Sequence, residues 1–241
     1  MLHALYAYDA GTVTVDNLTG DRRRGLSVQS KVYDLHGQLL DDQSAAGITL
    51  PAQGVARAVL HPRIPPPTVP PAPARTYFIK LLLRSNGAIA GRNVYWLSTQ
   101  GDLVNWPETL NHPQATMKQF ADLSALQGLT PAKLTVEART RARSRCDGCQ
   151  RVTNVTITNT STTPVVGFFL RADIRRGTHA GIPAPGDNQV LPVRWNDNDI
   201  TLWPGESQTL RAVYRASDLH GQTAVVSVYG WNTPTVDAAA P

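Results

Sequence analysis

Cysteine is scarce in this chain, with two among 241 residues, Cys146 and Cys149 in RSRCDGCQR. So small a number excludes a disulfide-stapled miniature fold, and it leaves a zinc site short of the four ligands such sites require. A redox CxxC opens a helix in a βαβ setting, whereas Asp147-Gly148 is a two-residue hairpin signal. The two cysteines would then face each other across the hairpin, at a separation a disulfide tolerates. A hairpin staple and a free thiol pair both fit that geometry. No run approaches the roughly eighteen apolar residues of a membrane-spanning helix. The opening MLHALYAYDAGTVTV has neither a basic leader nor an unbroken apolar stretch. It reads as a strand rather than a signal peptide, as if cut from something longer. Histidines number six and are scattered through turns and beside prolines. None falls in a nucleophile-elbow context, a metal-binding HExxH or another metal-ligand spacing, so no metal or cofactor is expected.

Charge of one sign is also missing as a concentrated feature. The formal net charge is +5, but residues 1–100 carry ten Lys/Arg against six Asp/Glu, and residues 101–241 thirteen against twelve. Arg139, Arg141, Arg143 and Arg145 fall at alternate positions of one strand. A solvated sheet face explains them without nucleic acid, for which no motif exists. Nineteen arginines against four lysines, with abundant Ala and Pro, suggest a GC-rich bacterial gene.

What is present is β-structure. Val190–Ala216, VLPVRWNDNDITLWPGESQTLRAVYRA, reads as strand, acidic turn, strand, Pro-Gly turn, strand. Pro204 presets φ for the first central position of a turn, and Gly205 supplies the positive φ that a type II turn needs next. Ile200 and Leu202, then Leu210, Ala212 and Tyr214, alternate with polar neighbours in the period of a half-buried strand. Seven such segments occupy the first hundred residues: 2–8, 12–17, 26–34, 38–42, 54–60, 76–84 and 93–98. The proline-rich Pro62–Ala74 lies among them as an inserted loop. Seven more occupy 133–142, 151–159, 165–174, 189–193, 200–203, 207–214 and 224–229. Between the two sets, Met117, Phe120, Leu123 and Leu126 recur at helical spacing. The expected fold is therefore all-β, with two immunoglobulin-like β-sandwich domains in tandem. Residues 1–100 form the first and 101–130 a junction with a short helix. Residues 131–236 form the second, and 237–241 a frayed tail.

Candidate chemistry is thin. Asp197 and Asp199 in WNDND suit a turn better than calcium, whose six to eight oxygens are not visible locally. Trp96, Trp195, Trp203 and Trp231 offer aromatic faces for a sugar ring, but packing is their ordinary use. Of Tyr95 and Trp96, strand neighbours, one should face the core and the other solvent. Asn17, Asn154 and Asn159 stand in glycosylation sequons.

In order along the chain, NVYWLSTQGDLVNWPETL, MKQFADLSAL, VTNVTITNTS, FFLRADIRRG and VLPVRWNDNDITLWPGESQTL resemble the C-terminal region of the exo-β-D-glucosaminidases of glycoside hydrolase family 2. The resemblance implies a parent enzyme that removes glucosamine from chitosan ends. Its catalytic TIM barrel, with two glutamates, precedes two Ig-like domains. It matches only those last two, so it carries over no catalytic residue and implies no enzyme activity for this chain alone. It further implies that the chain's partner is that barrel, on the same polypeptide, in an enzyme secreted by a bacterium. An independent carbohydrate-binding or adhesion module is the alternative. Asp197, Asp199 and Trp195 are the candidate contacts to substrate or an interface, the rival to a purely structural role in turn and core. The CDGC hairpin and the proline-rich loop stand apart from the quoted motifs.

Overall fold

A computed structural model describes residues 1–142 and 149–241. Two compact units divide the chain, Met1–Gly128 and Leu129–Pro241. The first contains β1 (Leu2–Ala7), β2 (Thr12–Asn17), β3 (Arg23–Asp34), β4 (Leu39–Leu50), β5 (Val55–Leu60), β6 (Thr76–Ser85) and β7 (Ala88–Ser98). They form two antiparallel sheets, ordered β1-β2-β5 and β4-β3-β6-β7. Alternation selects the inner faces. Leu26, Val28 and Val32 of β3, and Ile79, Leu81 and Leu83 of β6, meet Val13 and Val15 of β2 in one buried cluster. Each such fully buried aliphatic side chain contributes roughly 1.5–3 kcal/mol of transfer free energy. Tyr95 packs against this cluster, while Trp96, its neighbour on β7, stands part-exposed on the opposite face. The proline-rich loop is fastened back to the end of β7, where Thr68 and Thr99 share a 2.7 Å hydroxyl bond and the Thr68 N–H donates to the Thr99 carbonyl.

An arm follows, made of β8 (Leu103–Val104), the single helical turn α1 (Trp106–Thr109) and β9 (Met117–Gln119), then a 3-10 turn at Ser124–Gly128. The helix expected around Met117–Leu126 is therefore replaced by a strand and a 3-10 turn. Only Leu126 of that apolar series is buried, so no continuous face was there to hold a helix against a core. The helical turn forms earlier, where Pro107 sits at its start.

The second unit contains β10 (Leu134–Ala142), β11 (Gln150–Asn159), β12 (Gly167–Gly177), β13 (Arg194–Trp195), β14 (Ile200–Leu202), β15 (Ser207–Arg215), β16 (Thr223–Gly230) and β17 (Thr233–Ala239). Its sheets run β10-β11-β15-β13 and β14-β12-β16-β17. Val155 and Ile157 of β11, Leu170, Ala172 and Ile174 of β12, Leu210 and Ala212 of β15, and Val226 and Val228 of β16 fill the space between them. Two expectations fail here. Residues 189–193 make only an isolated bridge, Gln189 with Arg175, because Pro192 cannot donate to a ladder. The short strand falls instead at β13. The tail from 237 is not frayed. It lies in β17, paired with β16 through Val226↔Ala238 and Ser227↔Asp237, and Thr140 donates its N–H to the Pro241 carbonyl at 2.8 Å. β17 carries Pro234 and is an edge strand, where proline is tolerated.

Candidate functional site

The segment Asn196–Asp199 carries the chain from one sheet of the second unit to the other, between β13 and β14. Its asparagines do the work of backbone. Asn196 extends the β13–β15 ladder, donating its N–H to Arg211 O at 3.1 Å and accepting from Arg211 N at 2.5 Å through Oδ1. Asn198 grips β12 at two points, its Nδ2 donating to Ala172 O at 3.0 Å and its Oδ1 accepting from Ala172 N at 2.9 Å. Asp199 adopts φ +54°, a left-handed conformation that Asp and Asn tolerate better than most side chains. The next turn closes through Glu206 N donating to Trp203 O at 3.0 Å, with Gly205 at φ +78°. Only glycine adopts that angle without steric cost.

The three residues singled out in this region are not brought together. Trp195, on β13, packs against the sandwich core. Asp197 is exposed and accepts from Gln208 Nε2 at 2.7 Å, on β15 of the same sheet as β13. Asp199 faces the other way, 3.9 Å from the Arg171 guanidinium. Asp199 thereby joins a row of charges on the outer face of the second sheet. There Asp173, its side chain only 7% exposed, lies 3.6 Å from Arg171 Nε and 3.5 Å from Arg175 Nη2. The Tyr229 hydroxyl donates to Asp173 at 3.0 Å. Burial, and then the hydrogen bond to Asp173, push the Tyr229 phenol above its ordinary range. Arg175 continues the row to Asn188 Oδ1 at 3.2 Å. A carboxylate this buried is expensive unless paired and hydrogen-bonded, and Asp173 has both guanidinium neighbours and the phenol. The row ties β14, β12, β16 and the 178–189 connection together. Each of these carboxylates is engaged by its own neighbours.

No group of three or more His, Cys, Asp or Glu stands close enough to hold a metal among the described residues. Arg139 and Arg141 are exposed on β10, while Arg143 and Arg145 lie outside the described residues. So does Cys146, and with it the choice between a Cys146–Cys149 staple and a free thiol pair. The sequons divide by burial. Asn17 and Asn159 are wholly buried. The Asn17 Nδ2 donates to Asp21 O and Pro51 O, and that of Asn159 to Val165 O and Leu202 O. Asn154 alone of the three is exposed.

Sequence reasoning missed the two-point grip of Asn198, the Arg171–Asp173–Arg175 row and the buried Asn232, which bonds Thr130 O, Val166 O and Phe168 N. The row had a signal: R-A-D-I-R places charges of alternating sign at every second position of a strand. Asn198 and Asn232 had none, because an asparagine in a turn reads the same whether it caps locally or reaches across.

Residues 113–233 match the sequence profile of the exo-β-D-glucosaminidase Ig-fold domain. The chain belongs to the exo-β-D-glucosaminidase family. It is 37% identical to an exo-β-D-glucosaminidase of Amycolatopsis orientalis over 97% of this chain and 21% of that protein. It is 35% identical to one from Streptomyces avermitilis over 99% of this chain and 25% of that protein. The crystal structure of the Amycolatopsis orientalis exo-chitosanase CsxA superposes with a TM-score of 0.83 at 35% identity, covering 99% of this chain and 26% of that one. The chain thus spans about a quarter of the length of these relatives. Membership of the family and the two all-β, Ig-like units agree with the reading of the sequence.

Proposed function

We propose that this chain is the non-catalytic, tandem Ig-like region of an exo-β-D-glucosaminidase acting on chitosan oligosaccharides, and that it supports a catalytic domain carried on the same polypeptide. The observation that carries the reading is the coverage: nearly all of this chain aligns with about a quarter of each relative. The hydrogen bond to Asp197 and the ion pair of Asp199 support a structural role for the two carboxylates that sequence offered as candidates. Charge supports it too, since a module of net +5 gains nothing electrostatically from binding a polycation.

The test splits the parent enzyme. Hydrolysis of an aryl glucosaminide is measured for this chain alone, for the remainder alone, and for the intact polypeptide. The expected outcome is no turnover by the chain and a lower melting temperature for the remainder than for the same domain in the intact enzyme. Turnover by the chain alone that disappears on replacing one of its Asp or Glu residues overturns the proposal.

A further inference from the structure

The arm between the last strand of the first sandwich and the start of the second unit is ordered without burying anything. From Gly101 to Ala125 no residue is buried, yet the segment is held by its own hydrogen bonds. Asn105 N donates to Thr116 O at 2.8 Å, Gln119 Nε2 to Gly101 O at 2.8 Å, Ala121 N to Asp102 Oδ1 at 2.8 Å, and Asp122 N to Gln100 O at 3.2 Å. On it stand four large apolar side chains. Leu103 is 54% exposed, Trp106 67%, Leu110 83% and Phe120 74%. Trp106 and Leu110 are one helical turn apart, joined by the bond from Leu110 N to Trp106 O, so they project from the same side. Among the described residues of its own unit, none covers them. Fixing a 25-residue segment carries a conformational-entropy cost that burial normally offsets, and here the apolar groups that would supply the burial face outward.

We infer that this arm is the docking element for the catalytic domain, with Trp106, Leu110 and Phe120 as its anchors. The inference rests on the function proposed above and adds where the contact is made. Two observations select this occupant. About three quarters of each relative's length lies outside the match to this chain, so a large neighbour on the same polypeptide is available. The patch is also the wrong size for a free-standing dimer, which uses roughly 20–30 residues a side. A tethered neighbour needs far less, because its effective concentration is of millimolar order. Trp and Phe are the side chains that carry such small contacts, each burying roughly 150–250 Å².

The experiment compares amide hydrogen exchange of this chain alone with that of the intact polypeptide, and repeats it with Trp106→Ser and Phe120→Ser together. In the intact enzyme the amides of residues 103–120 should exchange at least about tenfold more slowly than in the chain alone. The double variant should restore fast exchange there, and it should shift the melting temperature of the isolated chain by less than about 2 °C, because these side chains are mostly exposed in it. If the arm stays open while another face of the chain becomes protected, the arm is not the contact, although the accessory role stands. If no part of the chain gains protection, both readings fail. If the isolated chain dimerises and the double variant abolishes the dimer, the occupant is a second copy and the inference is overturned.

Discussion

Asn198 and its two acidic neighbours separate structural from recognition roles at single positions. Removing the Asn198 amide strands both the N–H and the carbonyl of Ala172, which it holds at 2.9 and 3.0 Å. Leaving a buried polar group unsatisfied costs about 1–3 kcal/mol, so Asn198→Ala should destabilise the second unit by that amount in urea titration. Asp197→Asn with Asp199→Asn should do much less. Asp197 is exposed, Asn keeps the left-handed conformation of residue 199, and the part-exposed Asp199–Arg171 pair at 3.9 Å is of a kind worth about 0–1 kcal/mol. Should that double variant fold normally but raise KM for chitosan oligosaccharides about tenfold in the full-length enzyme, equivalent to about 1.4 kcal/mol of binding, the carboxylates recognise substrate and the structural reading of the turn is wrong. Leu202, buried among the sandwich side chains, is the contrasting position. Leu202→Ala should cost about 2–5 kcal/mol. Its burial was legible from the spacing of Ile200 and Leu202 about Thr201, although Thr201 and Trp203 are buried as well. The grip of Asn198 was not, because its partner lies 26 residues away on β12 and no local pattern encodes that distance.

Whole strands were readable where one face is buried and the other wet, as in β3, β11 and β15. The pattern failed at elements held by their neighbours. β17 carries a proline and few large apolar residues, and it exists because β16 presents a free edge. Deleting residues 233–241 should therefore unfold more than the strand. It exposes the Val226 and Val228 side of the core, and it removes the acceptors of the Thr140 N–H at Pro241 and of the Thr140 hydroxyl at Ala240. A drop of several degrees in the melting of the second unit is expected, and an unchanged melt would make the tail dispensable. Loops of similar composition also separate at this scale. Residues 178–188 are rich in Gly and Pro, yet Thr178 N donates to Ile182 O at 2.9 Å, Ala184 N to Arg176 O at 2.8 Å and Arg176 N to Asn188 O at 2.8 Å. Residues 105–116 contain no buried residue. In the isolated chain, limited proteolysis should cut first in 105–116, since an exposed loop bonded mainly within itself and burying no residue is nicked before one pinned to a core strand. First cleavage in 178–188 would mean that those bonds do not hold in solution.

The molecule as a whole has two separate cores, and each contains a tyrosine whose ionisation opposes folding. Tyr77 lies in the first, 4% exposed, and burial, with a smaller contribution from Tyr6, pushes its phenol up to about 12. Tyr214 lies in the second, where burial raises its phenol against the opposing hydrogen bond to Thr153. A folded-state value raised above the unfolded one means that the folded state prefers the neutral phenol. The associated stability is fully present below about pH 10, the ordinary tyrosine value, and is lost as pH rises toward about 12 in the case of Tyr77. Alkaline unfolding should therefore begin above about pH 10 and be accompanied by tyrosinate absorbance that appears only as the cores open. Tyr77→Phe should remove the Tyr77 contribution from the alkaline loss in the first unit while leaving neutral-pH stability nearly unchanged, because the ring that fills the core remains. Tyr214→Phe should behave differently. It also removes the Tyr214 contribution in its own unit, but it forfeits the 2.9 Å bond to Thr153, worth about 0.5–1.5 kcal/mol at neutral pH. Following each unit separately, through residue-resolved exchange at about pH 8 and pH 11, decides the point. A Tyr77→Phe variant whose first unit loses stability with pH as steeply as the parent would show that the Tyr77 phenol is not what limits it.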